Sequence, residues 1–522
     1  MALDALPVAQ ARRFHIDGVA FTAALATLIC AAPALAVIGF ALAPEGQGAA
    51  FGGALLRDGA VGTLLLVVAG GGAAIVFGAA AAWLVSLCHF PGRSLFAWLL
   101  VVPLAAPSYS YASFSWAGGV SPVEVRGFWG AAFVYAVGLY PYVYLAARAA
   151  FVSQSSCTLE AARTLGAAPG QVFWRVALPL ARPGVAAGGA LACMEIAADY
   201  GAAHHFGLTT LGTAIFRAWY AHGAPHAALQ ISAVLLVAAV AFLVIERYAR
   251  GRAAFAGGST RWRPLPRYQL NPIAAMGASL FCTALIVFGA ALPLAWLARL
   301  ALLHPHIEVV FAPFVNSMML AGGGALITLL FASAIAVSAR RAGAIGKVSL
   351  FGAGMGYAAP GAVIAMGALA LFGAAREAGW VGGLTSTLAL GALYWAYTAR
   401  FAAAGVQPID AGLARLSKGL DASARTLGAG PWRRFARIDL PIAAPSLAAA
   451  ALILFVEILK ELPATLILRP FDFDTLAVRA YAYASDERLL EAAAPSLLIF
   501  LAGLAPILLL TRGLARARAG AR

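Results

Sequence analysis

The chain has 522 residues, of which 62% are hydrophobic and only 11% charged. So little charge cannot clothe a soluble protein of this size, and apolar blocks of about twenty residues, the length that spans a bilayer, recur along it. The formal net charge is +15, yet the basic residues fall between apolar blocks rather than in one patch, which argues against nucleic acid as a partner.

Residues 1–19 are polar, with Arg12 and Arg13 ahead of a first expected span at about 20–42. No small-residue cleavage site follows closely, so this run is expected to be a retained membrane helix. Further spans are expected at about 60–87, about 95–117 (kinked at Pro103 and Pro107), about 128–150, from near Gly184, and about 227–246. The only long polar stretch, about 248–271, carries Arg250, Arg252, Arg261 and Arg263 and reads as a cytoplasmic linker. The order then repeats, with spans near 273–298, 314–339, 347–373, 379–400, 446–468 and 493–511. The expected organisation is all-α, about twelve transmembrane helices in two tandem six-helix halves, 1–247 and 272–522.

One polar stretch occurs twice. Glu160-Ala161-Ala162-Arg163-Thr164-Leu165-Gly166, closed by Leu178-Pro179, returns as Ala422-Ser423-Ala424-Arg425-Thr426-Leu427-Gly428, closed by Leu440-Pro441. A constant separation of 262 residues relates Arg163 to Arg425, Phe173 to Phe435, Pro183 to Pro445 and Glu195 to Glu457. A single offset without gaps indicates internal duplication. Each loop, about 151–183 and about 402–445, reads as a helix, a tight turn and a second short helix. Gly166 and Gly428 suit a left-handed turn after the first helix, and Pro169 and Pro431 suit the first turn of the next. Pro179 is expected to end that second helix and Pro183 to start the following one. Arg175, Arg433, Arg434 and Arg437 are expected to face outward.

The repeated pattern resembles the EAA loop of permease subunits of ATP-binding-cassette importers. In that family the loop carries the helix that docks in a groove of the ATPase. The first copy retains Glu160, Ala161, Ala162, Gly166 and Pro179. The second keeps Ala424, Gly428 and Pro441 but has Ala422 in place of the Glu, with Asp421 adjacent. The stretch Glu195-Ile-Ala-Ala-Asp199-Tyr200-Gly201, and later Glu457-Ile-Leu-Lys460-Glu461-Leu-Pro463, looks like the two halves of iron(III) importer permeases. The resemblance implies a type I importer fold, with two ATPase copies and a periplasmic solute-binding protein as partners, in a bacterial inner membrane. It also implies that this chain binds no cofactor, ATP and Mg2+ being held by the ATPase. Related permeases for thiamine, phosphonates or polyamines share this architecture and stay open as alternatives, as does a proton-coupled secondary transporter. Both halves hold an even number of spans, so the repeats are parallel, and a duplicated cytoplasmic loop fits ATPase docking better than proton coupling.

Charge distribution orients the chain. With both termini in the cytoplasm, roughly three quarters of the 36 Lys and Arg fall on the inner side, as the positive-inside rule requires. Anionic inner-leaflet lipid is then a secondary partner. The only Gly-Lys pair, Gly346-Lys347, lacks the P-loop pattern, so ATP hydrolysis is expected on a separate chain.

No catalytic or metal-ligating set is expected. The five cysteines are scattered without a C-x-x-C. Acidic residues in two spans carry the chemistry instead. Glu195 and Asp199 are four apart, hence on one helix face, and their equivalents are Glu457 and Glu461. Ionisable groups at membrane depth are costly and normally face a bundle interior or a water-filled cavity. Together with Tyr200 they form the candidate translocation pathway; the alternative is that they sit hydrated or paired at outer helix ends, for instance Glu457 with Lys460. Six histidines, His204, His205, His222, His226, His304 and His306, fall on the expected outer side, where surface or interfacial positions are expected.

Overall fold

Apolar runs of this length can satisfy their backbone in lipid only by internal helical hydrogen bonding, and helix dominates the chain. A computed structural model describes residues 18–519 apart from 44–48, 112–126, 155, 252–266, 304–306, 342–345, 347–348, 351, 355, 357–358, 383–384, 415–422, 425, 430–432, 434–436 and 439. In the first half the helices are α1 (Gly18–Ala41), α2 (Ala49–Leu66), α3 (Gly72–Leu87), α4 (Arg93–Leu99), α5 (Gly127–Val152), α6 (Ser156–Thr164), α7 (Pro169–Val172), α8 (Leu178–Ala198), α9 (Gly201–His205), α10 (Leu211–Phe216) and α11 (Pro225–Gly251). The second half contributes α12 (Pro272–Ile286), α13 (Leu292–Leu303), α14 (Ile307–Arg341), α15 (Gly361–Glu377), α16 (Ser386–Leu413), α17 (Leu440–Leu459), α18 (Pro463–Leu468), α19 (Leu476–Ser485) and α20 (Leu489–Ala519).

Among the described residues, nine helical stretches are long and apolar enough to cross a membrane. A shorter apolar segment at Arg93–Ala105, with α15 and α16, occupies the remaining expected positions. The all-α multi-span fold is thus as the sequence implies, with two local corrections, one being that the span expected near 347–373 is interrupted at Ala359 and Pro360, ahead of α15. The third expected span is not a single kinked helix: α4 stops at Leu99, and two 3-10 turns, Val102–Ala105 and Ser108–Tyr111, follow it. Pro103 and Pro107 lack the amide hydrogens that an α-helix would need there.

The first helix of each half packs on the other half. From α1, Cys30 shares a buried cluster with Ala332, Ile335 and Ala402, and Trp395 Nε1 donates to the Ile29 carbonyl at 2.8 Å. Reciprocally, Cys282 and Leu285 of α12 are buried with Trp83, Tyr140 and Tyr144. Ser279 Oγ donates to the Pro91 carbonyl at 3.1 Å, and the Tyr111 hydroxyl donates to the Gly289 carbonyl at 2.5 Å. Two short strands, β1 (Cys88–His89) and β2 (Tyr268–Gln269), add a parallel pairing on that side. The halves are therefore interlocked, and the space between them is enclosed by both.

Candidate functional site

Two regions repeat with the 262-residue offset: a cavity between the halves and a pair of exposed loops. The cavity, about 80 Å³ in volume, is lined by Glu195, Asp199, Glu457 and Glu461 together with Arg400, Lys460, Tyr109, Tyr135 and Tyr142. The four sequence-selected carboxylates thus converge from both halves, but not on one shared helix face. α8 ends at Ala198, and Asp199 is extended (φ −73°, ψ 134°); likewise α17 ends at Leu459, before Glu461. Each chain turns because the carboxylate beyond the helix caps the next short one. Asp199 Oδ2 accepts the Ala202 amide at 3.2 Å, ahead of α9. Glu461 accepts the Ala464 and Thr465 amides at 3.0 Å each, at the start of α18. Capping orphan helix amides with a carboxylate is favoured by charge as well as hydrogen bonding.

The two caps then diverge. Asp199 receives a neutral donor, the Tyr135 hydroxyl at 2.6 Å. Glu461, 5% exposed, receives Arg400 Nη1 at 2.9 Å and the Thr465 hydroxyl at 2.9 Å. Tyr397, the repeat equivalent of Tyr135, reaches the Thr465 hydroxyl at 2.7 Å rather than the carboxylate. Gly361 sits against this ion pair so closely that any Cβ there would collide with Glu461 Oε1 and Arg400 Nη1. Glu457 pairs with Lys460 at 3.1 Å, as the paired-helix-end alternative expected, while still lining the cavity. Glu195 has no hydrogen-bond partner among the described residues. Tyr200 is buried just beyond Asp199.

Arg400 and Tyr135 were not singled out from the sequence. Tyr135 carried a signal, since the repeat offset relates it to Tyr397. Arg400 carried none, because position 138 of the first half is Gly138.

The loops are well formed where described. Gly166 and Gly428 have φ of +80° and +74°, and each follows a helix that it terminates with the same bond: Ala167 N to Ala162 O at 3.2 Å, and Ala429 N to Ala424 O at 3.0 Å. This is the six-to-one closure of a left-handed helix end. Glu160 and Ala161 are exposed, Ala162 and Pro179 half-buried, Ala424 buried and Pro441 exposed. Asp421, Ala422, Pro431, Arg434 and Phe435 lie outside the described residues. Arg175, Arg433 and Arg437 are exposed. Phe173 turns inward, its ring 4.9 Å from that of Trp83. One expectation is corrected: Pro179 does not end a helix, and Pro183 does not start one. A π-turn, Phe173–Ala177, runs directly into α8, which carries Pro179 in its first turn and Pro183 inside. The wider turn takes up the register, and proline in a first turn forfeits no intrahelical bond. Leu165 and Leu427, equivalent by the repeat, are 87% and 86% exposed beside the two glycines.

The histidines divide. His226 Nε2 contacts the Ala43 carbonyl at 3.1 Å, His222 is exposed, and His304 and His306 lie outside the described residues. His204 reaches across to the second half, as described below.

Comparison with known proteins decides the family. Residues 74–251 and 329–518 each match the binding-protein-dependent transport system inner membrane component family. The chain belongs to that family. It is similar to the Fe(3+)-transport system permease protein FbpB 2 of Haemophilus influenzae, 25% identical over 448 residues, covering 83% of this chain and 86% of that protein. It is also similar to the molybdenum transport system permease protein ModB of Escherichia coli, 31% identical over 142 residues, 24% of this chain and 61% of that one. Two family matches in one polypeptide make it a fused two-half permease, a multi-pass inner-membrane transport component rather than an enzyme.

Proposed function

We propose that this permease conducts ferric iron from periplasm to cytoplasm by alternating access, driven by two ATPase copies that dock on its two loops. The observation that carries the cargo is the cavity's charge. Four carboxylates against Arg400 and Lys460 leave a formal surplus of two negative charges. A carboxylate-lined, low-dielectric space attracts a hard cation and disfavours an anionic cargo. Similarity to an Fe(3+)-transport permease over most of both chains supports the same cargo. Among the described residues no carboxylate set closes around one point, which suits conduction: the cargo must leave as well as arrive. A periplasmic solute-binding protein delivers it, and both termini are cytoplasmic.

Coupling rests on the loops. Leu165 and Leu427 present apolar side chains to solvent at the repeat-related turns, as a surface that awaits a partner groove does. Exposed Arg175, Arg433 and Arg437 add positive charge to the same two loops. ATP and Mg2+ belong to the docked ATPase. Native mass spectrometry of the solubilised complex tests this part; a transport-competent permease without ATPase would overturn it.

The cargo reading is tested by Glu195→Gln with Glu457→Gln, which removes charge while keeping size. Uptake of radiolabelled ferric citrate in proteoliposomes is expected to fall by about tenfold or more, with protein level unchanged. Wild-type uptake would return these carboxylates to a structural role.

A further inference from the structure

Immediately beyond the cavity lies a second set of donors, contributed by both halves. Tyr200 follows Asp199, His204 sits on α9, and Tyr481 sits on α19 of the second half. The Tyr200 and Tyr481 hydroxyls are 2.7 Å apart, and the Tyr481 hydroxyl is 3.0 Å from His204 Nδ1. Tyr200 is held from behind by Phe216, with ring centroids 3.7 Å apart and planes 17° apart. It is buried, Tyr481 is half-buried and His204 is exposed, so the set runs from interior to surface. It lies at the end of α8 remote from the coupling loop, about 30 Å away at 1.5 Å per residue. With the loops facing the ATPase, this end is the outer mouth.

We propose that Tyr200, Tyr481 and His204 form a receiving site for ferric cargo at the outer mouth, assembled from both halves and adjoining the carboxylate cavity. The proposal rests on the ferric reading above. No group of three His, Cys, Asp or Glu residues among the described residues is placed to hold a metal ion; the phenols are what make this set a candidate. Phenolate oxygen is a hard donor, and neutral imidazole suits iron as well. An octahedral cation with bonds of about 2.0–2.1 Å has neighbouring ligands about 2.9 Å apart. The separations of 2.7 Å and 3.0 Å bracket that edge, so the donors are already spaced as adjoining ligands.

Binding releases two phenolic protons to solvent and replaces the Tyr200–Tyr481 and Tyr481–His204 hydrogen bonds with bonds to iron. No redox step is involved. His204 contributes through Nδ1, the ring nitrogen that faces the Tyr481 hydroxyl. Arg217 opposes the cation, whereas Asp486 lies near Tyr481. Three protein donors leave positions open for a delivering protein's ligands, and Asp199 is the next residue inward from Tyr200.

The test uses the full permease with its ATPase in lipid nanodiscs, titrated with ferric nitrilotriacetate. The wild type is expected to develop the visible phenolate-to-iron(III) charge-transfer absorption, which gallium(III) displaces without colour. Tyr481→Phe keeps the ring but removes the donor, and exposed His204→Gln removes the imidazole. Each is expected to weaken ferric binding by about tenfold or more and to lower uptake at limiting iron, while remaining monodisperse. Absence of the absorption in a wild-type complex that transports iron overturns the site alone. Persistence of the absorption in a Tyr200→Phe/Tyr481→Phe variant also overturns it, assigning the colour to adventitious iron. A wild-type complex that transports no iron overturns the ferric reading and this site with it.

Discussion

The two halves of the cavity share a skeleton and differ in charge. Glu195 and Glu457 are equivalent, as are Asp199 and Glu461, and each pair is followed by a short helix that the second carboxylate caps. The first half, however, has Gly138 and Ala198 where the second has Arg400 and Lys460. Both second-half carboxylates are thereby paired with cations, at 2.9 Å and 3.1 Å, whereas among the described residues neither first-half carboxylate forms an ion pair of its own. The repeat keeps the geometry, while the cavity's two ion pairs among the described residues fall in the second half. Fusing the halves into one chain permits this, since a symmetric homodimer would have to repeat every change.

The largest expected effect tests that asymmetry directly. Glu461→Gln leaves Arg400 without its counter-charge beside buried Gly361, and losing one partner of a buried pair costs about 3–5 kcal/mol. The equivalent change, Asp199→Asn, disturbs only hydrogen bonds from neutral donors and is expected to cost less, about 1.5–3 kcal/mol. Thermal unfolding of the detergent-solubilised permease measures both. Equal losses would mean that the halves are energetically alike despite their different partners.

Lys460→Met sharpens the comparison with a smaller effect. Lys460 and Glu457 retain 16% and 12% side-chain exposure, so their separation is less costly than that of the Arg400 pair. The cavity surplus would rise from two negative charges to three. Binding of a trivalent cation is expected to tighten by about tenfold, roughly 1.4 kcal/mol, while uptake slows because release is impeded. Terbium luminescence in the purified complex and iron uptake read the two arms; unchanged affinity would remove Lys460 from the cavity's electrostatics.

Much of this was legible in the sequence, for physical reasons. Lipid allows little besides apolar helix, so spans announce themselves, and a gapless offset exposes the duplication. A carboxylate in an apolar run is expensive enough to be noticed. What stayed hidden depends on tertiary partners. Arg400 reads as the polar end of a span, yet α16 continues to Leu413, and its charge is tolerated by Glu461, sixty-one residues away. Asp199 reads as the same helix face as Glu195; the helix ends first because the carboxylate has an amide to cap. The interlocking of α1 with the second half involves contacts such as Trp395 with Ile29, which no local pattern encodes. Tyr481 and His204 meet for the same reason: His204 reads only as one of several outer-side histidines, and Tyr481 carries no local signal.

The smallest expected effect on stability lies at the loops, where the halves differ again. Gly166 and Gly428 adopt positive φ, and among the described residues nothing lies within 4 Å of where a Cβ would stand at either. Valine at these positions therefore meets no clash; the strain is purely conformational, about 1–2 kcal/mol, and falls on an exposed turn. Gly166→Val and Gly428→Val should thus leave the bundle folded, with an unfolding temperature close to wild type. The turn itself should open, since its six-to-one bond depends on the left-handed residue, and exposed Leu165 or Leu427 would be displaced with it. ATPase docking should weaken and hydrolysis uncouple from uptake. The first loop retains Glu160 where the second has Ala422, so Gly166→Val should uncouple more completely than Gly428→Val. Solute-stimulated ATPase activity in proteoliposomes compares them. Equal uncoupling would mean that both loops carry the stroke alike and that the lost glutamate is immaterial. Wild-type stimulation in both variants would sever the loops from coupling altogether.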